Sequence, residues 1–172
     1  QRDTDHDGHM DQILHLNGQG QVAKMEFCAP GRQSVQEVRF FENERLIRVE
    51  RDRNKDGKMD WRRVYQADGG SVVFQDTDSD GRFETTVSVD PESGTRVVEV
   101  DADHDQAVEE RIWYDADNRM VKRQTRSGNA GAMDQTWYYN KAEELVRMAQ
   151  DTTGSGQSDT WFLYKGGRIA EI

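Results

Sequence analysis

The sequence predicts an all-β protein, a repetitive antiparallel meander of about seven β-hairpin units in 172 residues. A nine-residue acidic motif recurs along the chain at intervals of about twenty-five residues. After each motif, apolar and aromatic residues alternate with polar ones, and a turn rich in glycine or asparagine follows. No segment carries the apolar stripe of an amphipathic helix.

The first residue of the motif sets the repeat. Units begin at residues 3, 28, 52, 76, 101, 126 and 151, and they predict one repeat domain over 1–172. Each unit reads loop, strand, turn, strand, which predicts about fourteen short strands. Consecutive strands of a meander are antiparallel, so the acidic loops are expected along one edge and the plain turns along the other.

The strands are predicted from spacing and composition. Leu14 and Leu16, or Ile112 and Tyr114, stand two residues apart after their loops, which is typical of a strand with one face more buried than the other. The returning segments are rich in valine and isoleucine, which favours strand over helix. Examples are 46–50, 71–74, 96–100 and 145–148.

Three units carry a complete D-x-D-x-D-G-x-x-D/E pattern, with asparagine once at the third position. Side-chain oxygens at positions one, three, five and nine, with the carbonyl of position seven, suit calcium, which takes six to eight oxygens. Glycine at position six permits the sharp turn. The predicted ligands are Asp3, Asp5, Asp7, His9 and Asp11; Asp52, Asn54, Asp56, Lys58 and Asp60; and Asp76, Asp78, Asp80, Arg82 and Glu84, where His9, Lys58 and Arg82 offer carbonyls.

These loops predict three calcium ions. The alternative is an acidic turn without an ion, which we disfavour because uncompensated acids in one turn repel one another. A fourth loop, with Asp101, Asp103, Asp105 and Glu109, keeps its acids but has Gln106 in place of glycine, so a fourth ion is left open. The units beginning at 28, 126 and 151 have lost most ligands. Asp134, Asp159, Gly131 and Gly156 nevertheless predict the same backbone path there.

The ninth-position acid separates these loops from EF-hands. An EF-hand places its bidentate glutamate at position twelve, where this chain has Leu14, Arg63 and Val87. The compact motif resembles the calcium loops of FG-GAP (integrin-type) hairpins and of thrombospondin type 3 repeats.

The strand–turn half carries a second resemblance. Residues 114–121 and 164–169 resemble the Tyr-Asp-x-x-Gly-Arg-Leu core of YD repeats in bacterial Rhs-type surface and toxin proteins. Together the two resemblances imply a bacterial secreted or envelope protein in which calcium loops join a sheet of hairpins.

Composition narrows the environment. The formal charge is −10, with 33 acidic and 23 basic residues, and three calcium ions would bring it to about −4. Cys28 is the single cysteine, so no internal disulfide forms; we interpret it as a free thiol. No signal peptide or transmembrane run is visible. Because loops of this kind commonly need extracellular calcium levels, we expect a secreted, periplasmic or cell-surface location.

The clustered acids already belong to the loops, so they do not indicate a catalytic pair. The histidines His6, His9, His15 and His104 lack zinc spacing, and no nucleophile elbow or phosphate-binding glycine loop is present. We therefore predict no enzyme activity and no catalytic residues.

Two functions remain. The first is a calcium-stabilised structural or interaction module that offers its sheet to protein partners. The second is a carbohydrate-binding or adhesion module that uses Trp61, Trp113, Trp137 and Trp161, although we favour a stabilising cross-strand ladder as the explanation of these residues. The acidic balance argues against nucleic acid.

Overall fold

The computed structural model describes residues 2–4, 6, 8–29, 34–126 and 132–172, and it is all-β. The strands are β1 (Gln12–Leu16), β2 (Val22–Cys28), β3 (Val35–Glu42), β4 (Arg45–Arg51), β5 (Trp61–Tyr65), β6 (Ser71–Gln75), β7 (Thr85–Val89), β8 (Arg96–Val100), β9 (Glu110–Tyr114), β10 (Met120–Thr125), β11 (Gln135–Tyr139), β12 (Leu145–Gln150), β13 (Thr160–Lys165) and β14 (Arg168–Glu171). Within those ranges there is no helix with the length and apolarity needed to cross a membrane.

The strands follow one another in sequence order, β1 to β14, as a 14-stranded sheet. This confirms the predicted antiparallel meander of hairpins. The chain divides into two compact units, 1–83 with β1–β6 and 84–172 with β7–β14. The division falls inside the third acidic loop.

Within each unit the two kinds of connection alternate. The acidic loops join an even strand to the next odd strand, and the tight turns join an odd strand to the next even one. Because consecutive strands are antiparallel, the loops of one unit lie along one edge and its turns along the other, as predicted. The shortest turns, Asn43–Glu44 and Gly166–Gly167, both have two residues in the left-handed region, as type I′ hairpins require.

The sheet has few buried side chains. Among the described residues none is fully buried, and the most buried apolar ones are Ala29, Val38, Val49, Val73 and Ala149. All five residues of β5, β7, β8 and β9 are half-buried. In these strands no face is fully buried or fully exposed, whereas in β13 half-buried and exposed residues alternate, as the sequence predicts.

Acids of the loops are as buried as the apolar residues of the strands. Asp52, Asp60, Asp76, Glu84 and Asp151 are each at most 9% exposed. Carboxylates are rarely buried to this degree unless they are paired or hydrogen-bonded. The loops therefore contain a substantial part of the protein's packed interior.

Candidate metal centres

The acidic loops share one backbone path. Positions are counted from the first residue of the motif, and positions four and six have positive φ in five loops. The pairs are His6 and Gly8, Lys55 and Gly57, Ser79 and Gly81, His104 and Gln106, and Gly154 and Gly156, with φ between 60° and 96°. The glycine at six was predicted. The left-handed residue at four was missed, because nothing in its side chains signals it.

The first-position aspartate holds this path in place. Asp52 accepts the backbone N–H groups of Lys55 and Gly57 at 2.6 and 2.9 Å, one on each carboxylate oxygen. The same two contacts recur at Asp3 (2.7 and 3.1 Å), Asp76 (2.7 and 2.8 Å) and Asp151 (2.8 and 2.6 Å). Asp101 keeps the contact with position six, at 3.1 Å. The first acid therefore organises the loop whether or not an ion is bound.

The other acids also bind backbone. Position three accepts the N–H of position five, at 3.0 Å from Asn54, 3.1 Å from Asp78 and 3.2 Å from Asp103. Position five accepts the N–H of position seven, at 2.8 Å from Asp56, 2.7 Å from Asp80 and 2.8 Å from Asp105. Position nine closes the loop by accepting the N–H of position two, at 2.9 Å from Asp60 and 2.7 Å from Glu109.

These hydrogen bonds correct one argument from the sequence. The acids were taken as uncompensated, yet backbone N–H groups stabilise their negative charge. Repulsion between the acids therefore does not by itself require an ion. Each carboxylate oxygen can accept more than one contact, so the bonds leave room for a cation.

Within the described part of the chain, the acids converge best in the fourth loop. Asp101, Asp103, Asp105 and Glu109 each offer one oxygen, and the four atoms lie within 4.8 Å of one another. Oxygens bound to calcium at 2.3–2.6 Å lie up to about 5 Å apart, so this spacing fits the ion. Asp101 Oδ1 is also buried without a hydrogen-bond partner. Ligand convergence here does not need the missing glycine, because Gln106 takes its conformation.

The third loop forms a smaller cluster. Asp76, Asp78 and Glu84 bring one oxygen each within the same 4.8 Å, and Asp80 lies between them in sequence. Arg82 donates its backbone N–H to Asp80 at 2.7 Å. Among the described residues, acidic clusters that could hold a metal ion are therefore present in two loops, while the identity of the metal is not fixed by them.

In the second loop a basic side chain joins the acids. Arg53 Nε lies 2.9 Å from Asp60 Oδ1. Burial opposes the charge of Asp60, but Arg53 and the backbone N–H groups of Asn54 and Arg53 outweigh it and hold its pKa below the usual value. Asn54 Nδ2 donates to Asp56 at 3.2 Å and to Ser79 Oγ of the third loop at 3.0 Å, so two successive loops touch. Lys58 donates its N–H to Asp56.

The first loop is described only in part, because Asp5 and Asp7 lie outside the described residues. Asp3 makes the two backbone contacts given above, His9 is exposed, and Asp11 accepts a hydrogen bond from the Thr4 hydroxyl. The loop at 151–159, which has lost most of the ligands, confirms the predicted path, since Gly154 and Gly156 are left-handed and Asp159 accepts the N–H of Thr152. Gly131 lies outside the described residues.

A further cation was missed by the sequence reasoning. Arg126, the first residue of the sixth repeat unit, reaches the acids of the fourth acidic loop: its Nη2 lies 3.6 Å from Asp105 Oδ2 and forms an ion pair with Glu109. The signal was present in the repeat register, where arginine stands in the column of first-position aspartates.

The sheet faces carry arginine–glutamate–aromatic contacts. Arginines of the strands pair with glutamates of the same or the preceding strand, and their guanidinium groups lie over aromatic rings. These are Arg39 with Glu37 and Phe27, Arg62 with Glu50 and Phe83, Arg111 with Glu99 and Trp113, and Arg123 with Glu110 and Trp137; Arg63 lies over Trp61. The rings of Trp61, Trp113 and Trp137 therefore each contact an arginine side chain, whereas Trp161 is 46% exposed.

Cys28 is a free thiol at the end of β2, as predicted, and it is half-buried. Burial, followed by the charges of Glu26 and Asp11, raises the pKa of this thiol. A raised pKa disfavours the reactive thiolate.

No protein-family model matches the chain, and no curated protein does. Among solved structures, the chain is similar to a crystal structure of an S. aureus TarM mutant in complex with Fondaparinux, alpha-GlcNAc-glycerol and UDP, at 11% identity and a TM-score of 0.45. The match covers 62% of this chain and 20% of the length of that one. A likeness of this size supports no conclusion on function.

Proposed function

We propose that the chain is a calcium-binding, non-catalytic structural and interaction module of a bacterial extracellular or cell-envelope assembly. Calcium ions in the acidic loops join successive hairpins and stabilise the sheet. The observation that carries the proposal is the convergence of four carboxylate oxygens within 4.8 Å in the fourth loop, on a backbone path shared by its neighbours.

Two features of the loops favour calcium over other cations. Every predicted side-chain ligand is an oxygen, which suits a hard cation and not zinc or copper. The ligands come from one flexible nine-residue segment, and calcium tolerates irregular geometry better than magnesium, which demands a near-ideal octahedron. The buried, unpartnered Asp101 Oδ1 is an atom that such an ion would satisfy.

The loops also explain how calcium would stabilise the fold. The sheet has few buried apolar residues, whereas the loop acids are buried. Ions that bind only the folded state add stability in proportion to the logarithm of their concentration, about 2.7 kcal/mol per site at one hundred times Kd. Millimolar calcium is about one to ten times the Kd of extracellular calcium modules, which gives about 0.4–1.4 kcal/mol per site. With three sites, we expect millimolar calcium to raise Tm by about 3 °C or more.

Thermal unfolding with and without a chelator tests the proposal. Calcium should raise Tm, and magnesium at equal concentration should raise it much less. The Asp78→Asn variant keeps the hydrogen bond to Asp80 N but removes one charge from the third loop, so it should lose part of the calcium response. Glu92→Gln, in the exposed turn after β7, is the matched control. A Tm that calcium leaves unchanged would falsify the proposal.

The location and partners follow from the same chemistry. Calcium loops of extracellular modules commonly bind in the range of 10⁻⁴ to 10⁻³ M, which suits a secreted, periplasmic or cell-surface protein. The half-buried sheet faces, lined with arginine, glutamate and aromatic residues, are the surface that we assign to protein partners. A stable complex with an envelope protein that dissociates in chelator would support this assignment.

Binding to carbohydrate is a second candidate, favoured by one observation. Trp161 and Leu163 are 46% and 41% exposed and line a shallow cavity of about 570 Å³ with Arg147, Asp159 and Glu171. An exposed indole beside carboxylates can stack on a sugar ring while the acids bind its hydroxyls. Glycan-array binding that Trp161→Ala abolishes, and that Trp137→Ala leaves intact, would support this function over the first.

A further inference from the structure

The most buried basic side chain at the loops lies among acids that we assign to calcium. The side chain of Arg126 is only 6% exposed. Its Nη2 contacts three oxygens of the fourth loop: it lies 3.6 Å from Asp105 Oδ2 and 3.3 Å from the carbonyl oxygen of Ala107, and it pairs with Glu109 Oε1. These atoms belong to positions five, seven and nine.

The repeat explains why an arginine at this point in the chain reaches that loop. Arg126 N donates to Glu109 O at 2.9 Å, so the first residue of one unit lies beside the ninth residue of the preceding loop. The equivalent hydrogen bond, from Asp76 N to Asp60 O at 3.0 Å, occurs in the compact unit 1–83. Where Asp76 brings a carboxylate next to the preceding loop, Arg126 brings a guanidinium.

We infer that Arg126 is an internal cation that occupies part of the metal-binding site of the fourth loop and lowers the affinity of that loop for calcium. The inference rests on the proposed function, since it concerns the same site. Positions five, seven and nine supply three of the five oxygens expected for calcium, and one guanidinium nitrogen contacts all three. The fourth loop is therefore held together in part without a metal.

Calcium binding at this loop carries two costs that follow from the contacts. A divalent ion beside the guanidinium is repelled by it, because the two charges share the same few ångströms. Moving Arg126 away instead breaks a buried ion pair and leaves a charge without its partner. The guanidinium contacts the oxygens of positions five, seven and nine but leaves Asp101 Oδ1 without a hydrogen-bond partner. The loop therefore keeps a residual affinity for calcium.

A calcium titration followed by backbone amide NMR of the full chain tests the inference, because it reports each loop separately. We compare wild type, Arg126→Gln and the control Arg111→Gln, which also loses one charge and one glutamate partner but lies in β9. In wild type, the amides of 102–109 should respond at higher calcium than those of 77–82. Arg126→Gln should tighten binding at 102–109 by about tenfold or more, and Arg111→Gln should not.

Equal affinity of the fourth loop in wild type and Arg126→Gln would overturn the inference. Arg126→Lys provides a second check, since it keeps the charge and should leave the affinity low even if the glutamine variant folds poorly. Thermal unfolding in chelator gives a readout that does not need calcium binding: Arg126→Gln should lower Tm by several degrees and Arg111→Gln by less.

The outcomes separate the inference from the proposed function. If no loop in any variant responds to calcium, the proposed function fails and the affinity effect of Arg126 fails with it. In that case a Tm lowered by Arg126→Gln in chelator would still show an internal cation. If the other loops respond while the fourth is unaffected by the substitution, only the inference fails.

Discussion

Gln106 donates its backbone N–H to Asp101 Oδ2 at 3.1 Å while holding a φ of 72°, in the place that Gly57 and Gly81 occupy in the neighbouring loops. A side chain at positive φ is strained by contact of its Cβ with the backbone. The first-position aspartate therefore keeps the loop on its path even where the residue opposes it. Glycine at position six lowers the cost of the path but does not define it.

The first prediction follows from this strain. Gln106→Gly should raise the free energy of unfolding by about 0.5–1 kcal/mol in metal-free buffer, because relief of the left-handed strain outweighs the added freedom of the unfolded chain. Urea unfolding in chelator measures the change. Gly57→Ala should instead lower the free energy of unfolding. The φ of Gly57 is 95° and no heavy atom lies within 4 Å of the added Cβ, so the loss comes from backbone strain at positive φ and not from a steric clash with a neighbour. Changes of the same sign would contradict the argument.

Much of the fold could be predicted because the repeat register determines where each strand and each connection lies. The recurring motif and the alternation after it gave strand number, order and direction, since short alternating segments joined by tight turns can only pair with their neighbours. The two-residue turn at Asn43–Glu44 was not singled out, because it contains no glycine. The tolerance of asparagine for positive φ would have indicated it.

The residues of the candidate site could be predicted from the sequence, but the role of each residue could be predicted less well. Spacing identified the acids, and Asp101 converges with its partners in a loop whose occupancy the sequence left open. The sequence did not show that Asp52 binds two backbone N–H groups, because such bonds depend on the left-handed residue at position four. Arg126 was missed because its partners lie in the preceding unit, at contacts that only the strand register defines.

The second prediction separates acids that hold the backbone from acids that bind metal. Asp151 accepts N–H groups from Gly154 and Gly156 in a loop that keeps the ninth-position Asp159 but has no acid at positions three and five. Asp151→Ala leaves these donors without their acceptor and should lower the free energy of unfolding equally with calcium and with chelator. Asp78→Asn should instead matter mainly when calcium is present. Denaturant unfolding in both buffers distinguishes the two; a calcium-dependent loss for Asp151→Ala would contradict it.

The third prediction concerns acid stability. Hydrogen bonds from the Thr152 hydroxyl, then from backbone N–H and neighbouring threonines, lower the pKa of Asp159 to about 2. Burial opposes the charge of Asp151, but backbone N–H groups of Gly156, Ser155 and Gly154 outweigh it and lower its pKa as well. A carboxyl with a lowered folded pKa contributes stability that is present above its unfolded pKa of about 4 and is lost as pH falls through the folded value.

We therefore expect metal-free protein to lose stability between about pH 4 and pH 2. Equilibrium unfolding across this range measures the loss. Asp159→Asn should flatten the slope, because the amide does not titrate and the group no longer binds a proton on unfolding. A variant with the same slope as wild type would show that Asp159 does not contribute to the acid transition.

The fourth prediction concerns the contacts across the strands. Glu50 on β4 lies 2.7 Å from Arg62 Nε on β5, and the Arg62 guanidinium lies 4.8 Å from the centre of the Phe83 ring. Arg62 is 37% exposed, so solvent screens the ion pair. A double-mutant cycle with Glu50→Gln and Arg62→Gln should give a coupling energy of about 0.5 kcal/mol, falling towards zero in 1 M salt.

The ring contact should persist where the ion pair does not. A second double-mutant cycle, with Phe83→Leu and Arg62→Gln, should therefore give a coupling energy that salt reduces less. The guanidinium–ring contact resembles an apolar contact more than a pair of full charges. If both couplings vanish together in salt, the arginine acts through its charge alone. Persistence of the second would show that these half-buried faces are held by flat guanidinium–ring stacking, which allows a sheet with few buried side chains to keep a defined register.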